Sequence, residues 1–181
     1  MKNGKKILKI TQTAGMLALL IALQALTKPL GQLVTGSCVN AVLAVTALTV
    51  GAAGGTAVAV LSPVFAFLLG IAPQPLTVPV IMLGNACYVA FLVWLNGTSW
   101  VRRIGAWLAS SVAKAALLYV LVAKVLCGIA APGLLEQGLL KQPMLQALPA
   151  TFSWPQLVTA LIGGGVAMCI VPVIKKAIKT R

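Results

Sequence analysis

The sequence predicts an all-α integral membrane protein, a bundle of six transmembrane helices with both termini in the cytoplasm. Hydrophobic residues make up 60% of the 181 residues and the mean hydropathy is +1.04, whereas soluble domains are roughly 45–50% apolar. The chain also contains six apolar stretches, each close to the length that a helix needs to cross a bilayer. Finally, the basic residues cluster in a way that assigns one orientation to such a bundle.

Each predicted span ends at turn-forming residues or at charge, where membrane helices commonly end. The first ends before Lys28-Pro29, the third before Pro73-Gln74-Pro75 and the fourth before Asn96-Gly97. The predicted spans are residues 10–26, 36–50, 55–70, 78–95, 104–126 and 155–174, within a single membrane domain over residues 1–181. Residues 128–153 are predicted to form an outer loop that acts as a lid.

The basic residues predict the orientation of the bundle, because cytoplasmic loops of membrane proteins carry an excess of Lys and Arg. One group precedes the first span, a second lies between spans four and five, and a third follows span six. With six spans, all three groups fall on the same side of the membrane. These groups are Lys2, Lys5, Lys6 and Lys9; Arg102 and Arg103; and Lys175, Lys176, Lys179 and Arg181.

The lack of acidic residues and histidine excludes most enzyme classes. The chain has one acidic residue, Glu136, and no histidine, so it cannot build paired-carboxylate hydrolase sites, Ser-His-Asp triads or zinc protease sites. We therefore expect no enzyme activity, no metal site and no catalytic cofactor. The net charge of +13 is explained by topology and by attraction to an anionic lipid bilayer, so no nucleic acid partner is expected.

The four cysteines carry no metal-binding pattern. They are scattered along the chain without a C-x-x-C motif, and we interpret them as small buried apolar residues. A disulfide between Cys38 and Cys127, both near the predicted outer face, stays open.

Polar residues at membrane depth are the candidate substrate-binding residues, because they are costly in lipid unless they face a cavity or a partner. Five fall in the predicted outer half or near the bilayer centre: Asn40, Asn85, Tyr88, Tyr119 and Lys124. Lys114 falls toward the cytoplasmic half. Each residue alone is also consistent with a hydrogen bond between helices. Both lysines lack an acidic partner within the membrane, so each either extends toward an interface or contacts an anionic ligand group.

The first span carries small residues at four-residue intervals, Ala14, Ala18 and Ala22. This spacing places them on one helix face, where another helix can approach closely. The face either packs within the bundle, which spacing alone favours, or docks a partner membrane subunit. Because Asp/Glu/His relays are missing, the chain cannot energise transport alone.

Together these features resemble a substrate-binding S component of the energy-coupling factor (ECF) vitamin importers of Gram-positive bacteria. The similarity covers nearly the whole chain and includes the alanine stripe and three local stretches: Thr35-Gly36-Ser37-Cys38-Val39-Asn40, Leu61-Ser62-Pro63 running to Leu69-Gly70-Ile71, and Gly84-Asn85-Ala86-Cys87-Tyr88-Val89. The resemblance implies that a vitamin binds at the outer face of the bacterial plasma membrane. It also implies that Ala14, Ala18 and Ala22 dock onto a membrane coupling subunit, which carries two cytoplasmic ATPase subunits.

The local stretches and the charge of the chain suggest an order of candidate vitamins. The Gly84-Asn85 and Leu61-Ser62-Pro63 stretches resemble cobalamin-specific members, which makes cobalamin the first choice. Pantothenate follows, with Lys124 or Lys114 contacting its carboxylate, and folate, pyridoxine and queuosine-type precursors stay open. The lack of acids disfavours a cationic vitamin such as thiamine. The alternatives outside this family are a stand-alone channel or exporter, a ligand-free structural membrane protein and, third, a membrane enzyme.

Overall fold

The structure is a computed structural model that describes residues 2–71 and 74–179. Over these residues the chain is all-helical, which confirms the all-α class. The helices are α1 (Lys2–Thr27), α2 (Gln32–Thr49), α3 (Ala52–Leu68), α4 (Thr77–Leu95), α5 (Trp100–Tyr119), α6 (Ala131–Glu136), α7 (Met144–Thr151) and α8 (Trp154–Lys179). A short 3-10 helix at Lys28–Leu30 follows α1, and a π-helix at Val120–Ile129 continues α5.

Five of the described helical segments are long and apolar enough to cross a membrane, as a multi-pass membrane protein requires. They contain α1, α2, α4, α5 with its π-helix, and α7 with α8. Two of the described helices lie outside these segments: α6, which has six residues, and α3, which has 17 residues and is apolar but shorter than the five segments. At 1.5 Å per residue its length is about 25 Å, slightly less than the hydrocarbon core of a typical bilayer.

The helices extend beyond the predicted apolar stretches at most ends. The chain is helical from Lys2 rather than from residue 10, and α8 continues to Lys179 rather than 174. The apolar pattern predicts which residues lie within the membrane. A helix can continue beyond the membrane and ends only where the backbone turns, so the two boundaries differ. Gly31 and Gly51, with φ of +89° and +108°, provide such turns between α1 and α2 and between α2 and α3, because glycine adopts positive φ without steric cost.

The predicted outer loop at 128–153 is largely helical and contacts the rest of the bundle. The helices α6 and α7 lie within it, and α7 contacts both the π-helix and α8. Phe152, which is 6% exposed, packs with Leu118 and Val122 in a small apolar cluster. The segment is therefore anchored by apolar contacts.

The long helices alternate in direction, which separates the bundle into two ends. The helix α2 contacts α1, α3, α4 and α8, and the main core contains Leu43, Val58, Leu92 and Ala167. The turn at 28–31 and residues 69–71, which follow α3, lie together at one end, where Lys28 Nζ donates to the Gly70 carbonyl at 2.7 Å. We call this the cavity end. The start of α5 and the C-terminal part of α8 meet at the other end.

Some residues used in the sequence analysis lie outside the described residues. Ala72 and Pro73 belong to the predicted turn before α4, and Arg181 belongs to the C-terminal basic group.

Candidate functional site

A cavity of about 380 Å³ opens at the cavity end of the bundle. Its walls come from the end of α1, the start of α2, the second half of α3, the start of α4, α5, α7 and the start of α8. Apolar side chains such as Val39, Ile81 and Phe152 line much of it, and polar groups lie at its base and rim. Its volume is near the lower limit of the roughly 300–1,000 Å³ typical of small-molecule sites.

The base of the cavity holds a buried polar cluster centred on Lys114. The ammonium group of Lys114 donates to Asn40 Oδ1 at 2.5 Å and to Asn85 Oδ1 at 2.7 Å. Lys114 is 3% exposed, and both asparagines are 1% exposed. All three side chains line the cavity. The cluster joins α2, α4 and α5 with hydrogen bonds inside an apolar bundle, where such bonds are poorly screened.

Local backbone features orient both asparagines. Asn40 Nδ2 donates to the Gly36 carbonyl at 2.9 Å and to Thr159 Oγ1 at 3.2 Å. A Cβ added at Gly36 would lie 2.9 Å from Thr159 Cγ2, so the glycine lets α2 and α8 approach closely at this point. Both donor hydrogens of Asn40 therefore have protein acceptors, and its Oδ1 is left for Lys114.

Asn85 is held by a backbone carbonyl of α3 that has no helical hydrogen-bond donor, because a proline follows it four residues later. Pro63 lies inside α3 and has no backbone N–H, so the carbonyl four residues earlier lacks its helical donor. That carbonyl, of Ala59, accepts from Asn85 Nδ2 at 3.4 Å. The Leu61-Ser62-Pro63 stretch thus contributes to the site through its backbone, and its Pro63 also lines the cavity.

Tyr88 lies beneath the cluster rather than in the cavity wall. It is fully buried, its ring centroid is 5.5 Å from Lys114 Nζ, and its hydroxyl donates to the Ala160 carbonyl at 3.5 Å. A Cβ at Gly164 would lie 2.8 Å from the Tyr88 hydroxyl. The ring provides cation–π stabilisation to the ammonium group from the core side.

The structure does not bring Tyr119 and Lys124 to the cavity. The two residues form a separate pair on the outside of the bundle, with Lys124 Nζ 5.8 Å from the Tyr119 ring centroid. Tyr119 is 40% exposed, Lys124 is exposed, and neither lines the cavity. Of the five predicted substrate-binding residues, Asn40, Asn85 and Tyr88 lie together around Lys114.

Sequence reasoning named Lys114 as a possible contact for an anionic group but left it out of the five predicted substrate-binding residues, although a signal for its burial was present. Residues 106, 110, 114 and 118 follow at four-residue intervals, which places them on one face of α5. All four are buried: Ala106, Ser110, Lys114 and Leu118. The small and apolar neighbours of the lysine on that face indicated that it points into the bundle.

Sequence reasoning also missed the polar rim of the cavity. Gln24 Oε1 and Thr35 Oγ1 are buried atoms without a hydrogen-bond partner among the described residues, and both side chains line the cavity. Buried polar atoms are nearly always hydrogen-bonded in folded proteins. Two such atoms in one cavity indicate that something else supplies their partners.

The alanine stripe of α1 faces outward. Ala14, Ala18 and Ala22 are all exposed, and a Cβ added at the neighbouring Gly15 would meet nothing within 4 Å. Packing of this face within the bundle, which the spacing alone favoured, is therefore wrong. The face is smooth and apolar, and the residues that the structure describes leave it uncovered.

The described residues contain no group of three or more metal-ligating side chains. All four cysteines are free, including Cys38 and Cys127. What the site offers chemically is a buried cation and a set of amide and hydroxyl groups in an apolar cavity.

Comparison with known proteins gives no assignment. No protein-family model, no curated protein and no solved structure matches this chain. Its function must therefore be argued from the cavity and the surfaces of the bundle.

Proposed function

We propose that this chain is the S component of an ECF-type vitamin importer in the bacterial plasma membrane. The observation that supports this most strongly is the buried Lys114–Asn40–Asn85 cluster at the base of a cavity. Burying an ammonium group in a low-dielectric interior costs several kcal/mol. A bundle that needed only helix packing would place an apolar residue there, so the lysine is best explained by a ligand.

Two features favour solute binding over the alternative functions. A channel requires polar groups along the whole bundle, whereas the core beyond the cluster contains apolar residues such as Leu43, Leu92 and Ala167. Gln24 and Thr35 each hold a buried oxygen that has no partner among the described residues and line the cavity. A polar solute would supply these partners, which favours solute binding over a ligand-free structural role.

The cavity size supports a small vitamin. A cobalamin, with its corrin ring and nucleotide tail, is much larger than a cavity of about 380 Å³, whereas a vitamin of the size of pantothenate is compatible with it. We therefore place a pantothenate-sized vitamin before cobalamin as the transported ligand.

The proposed topology has six spans, with α3 as the short third span and both termini in the cytoplasm. The three basic groups support this orientation, and it directs the cavity to the outside. Accessibility of protease-cleavable tags at each terminus, measured in vesicles of known orientation, tests it: both tags should be cut only from the cytoplasmic side.

The exposed alanine stripe on α1 supports docking to a membrane coupling subunit. In this proposal the chain captures its vitamin and docks through Ala14, Ala18 and Ala22, and two cytoplasmic ATPase subunits supply the energy. This division of roles is consistent with a chain that has one acidic residue and no histidine.

Transport in proteoliposomes tests the proposal. The chain is reconstituted with an ECF coupling subunit and its two ATPases, and uptake of radiolabelled vitamins is measured with and without internal ATP. We expect uptake of one vitamin that needs both ATP and this chain. Equal uptake without ATP would indicate a channel, and no uptake of any vitamin would contradict the proposal.

A further inference from the structure

The cavity contains positive charge that the chain does not neutralise. Lys114 lies at its base and Lys28 at its rim. The only acidic side chain of the sequence, Glu136, is exposed on α6 and does not line the cavity. A ligand that enters therefore meets cations without competing carboxylates.

The partners of Lys114 orient its ammonium group but supply no negative charge to balance it. Asn40 and Asn85 offer neutral amide oxygens, and the Tyr88 ring adds only a quadrupole. These contacts use two of the three N–H donors of the ammonium group. In a low-dielectric site a nearby anion interacts far more strongly with such a cation than it would in water.

Near its mouth the cavity offers a hydrogen-bond acceptor, whereas Lys114 at its base offers a donor. Gln24 Oε1 is a buried acceptor without a partner among the described residues, so it needs an N–H or O–H donor. Thr35 Oγ1 accepts or donates. The cavity thus has a cation at its base, a free acceptor near its mouth and apolar walls between them.

We infer that the cavity selects a small solute with a single carboxylate, which binds Lys114, and with a hydroxyl or amide N–H that donates to Gln24. This inference rests on the proposed function and adds the substrate class. One buried ammonium group balances one negative charge. Among the described residues, no arginine lines the cavity, whereas phosphate sites in proteins commonly use arginine for bidentate contacts. Lys28 already donates to Gly70 at the exposed rim, where water screens its charge.

The test identifies the solute that copurifies with the wild-type chain. The chain is expressed in bacteria grown on rich medium and purified in detergent, and its small molecules are extracted and identified by mass spectrometry. The probe is the solute pool of these cells. We expect a stoichiometric solute that carries one carboxylate. A neutral, cationic or phosphorylated solute would overturn the inference but leave the proposed function intact, whereas no solute at all would contradict the proposed function.

Two variants test the role of Lys114 directly. Lys114→Met should retain at least 10-fold less of the same solute, as expected when a charge-assisted hydrogen bond is lost. Lys141→Met is the matched control, since Lys141 is exposed and outside the cavity, and it should retain the wild-type amount.

Asn85→Asp keeps the test decisive if Lys114→Met fails to fold. The substitution is nearly isosteric and places a carboxylate where the Asn85 oxygen now lies, 2.7 Å from Lys114 Nζ. This internal anion should pair with the ammonium group and exclude the carboxylate of the solute, with a loss of at least 10-fold. Full retention of an anionic solute by Asn85→Asp would overturn the inference.

Discussion

Adding a single methyl group at Gly163 should both destabilise the bundle and disturb the site. An added Cβ would lie 2.5 Å from the Ser37 carbonyl oxygen, 2.6 Å from the Ala41 backbone nitrogen and 2.7 Å from Asn40 Cβ. Ordinary contacts begin near 3.4 Å, so α2 and α8 must separate by roughly 1 Å, and overpacking of this kind costs about 1–3 kcal/mol. Asn40 would move with α2, which would disturb its hydrogen bond with Lys114.

Gly105→Ala is the matched control, because a Cβ there meets nothing within 4 Å. Both variants gain the helix propensity of alanine over glycine, about 1 kcal/mol, so their difference isolates the packing cost. Thermal unfolding in detergent should give a melting temperature roughly 2–12 °C lower for Gly163→Ala than for Gly105→Ala, with weaker solute binding. Equal melting temperatures and equal binding would refute the close approach of α2 and α8.

Three further substitutions distinguish the docking face of α1, the Lys124 surface and the solute cavity. Ala18→Trp should leave solute binding unchanged and abolish ATP-driven uptake, whereas Leu83→Trp, on the exposed face of α4, should leave both intact; uptake by Ala18→Trp would refute docking through α1. Lys124→Met should bind solute like the wild type in equilibrium dialysis, because Lys124 is outside the cavity, and a loss of binding would favour the sequence-based assignment. Gln24→Leu should melt no lower than the wild type without solute, because the Gln24 oxygen has no partner to lose within the described part of the chain. It should bind solute about 10-fold more weakly, and unchanged affinity would remove Gln24 from the site.

The helical class and the apolar segments could be predicted because hydropathy reports burial in lipid along the chain. Helix ends could not be predicted from hydropathy, because α1 and α8 continue through basic residues that lie outside the apolar stretches. The packing of α7 through Phe152 depends on contacts between distant segments, which a linear pattern does not contain.

Part of the candidate site could also be predicted, because polar residues stand out in apolar segments. Asn40 and Asn85 stand out as amides in apolar helices, and the structure brings both to Lys114. Lys114 and Lys124 are the same residue type and lie only ten positions apart in similarly apolar sequence. Lys114 nevertheless faces the interior of the bundle, whereas Lys124 faces outward. The direction of each side chain depends on the helix rotation and, for Lys124, on the π-helix that follows Tyr119.

An experimental structure of the chain in lipid nanodiscs, with its copurified solute, tests the central claim most directly. We predict solute density in the cavity between α2, α4 and α5, with an oxygen of the solute within hydrogen-bonding distance of Lys114 Nζ. Density for the solute at another site, or a cavity that holds only water while Lys114 contacts Asn40 and Asn85, would contradict the account.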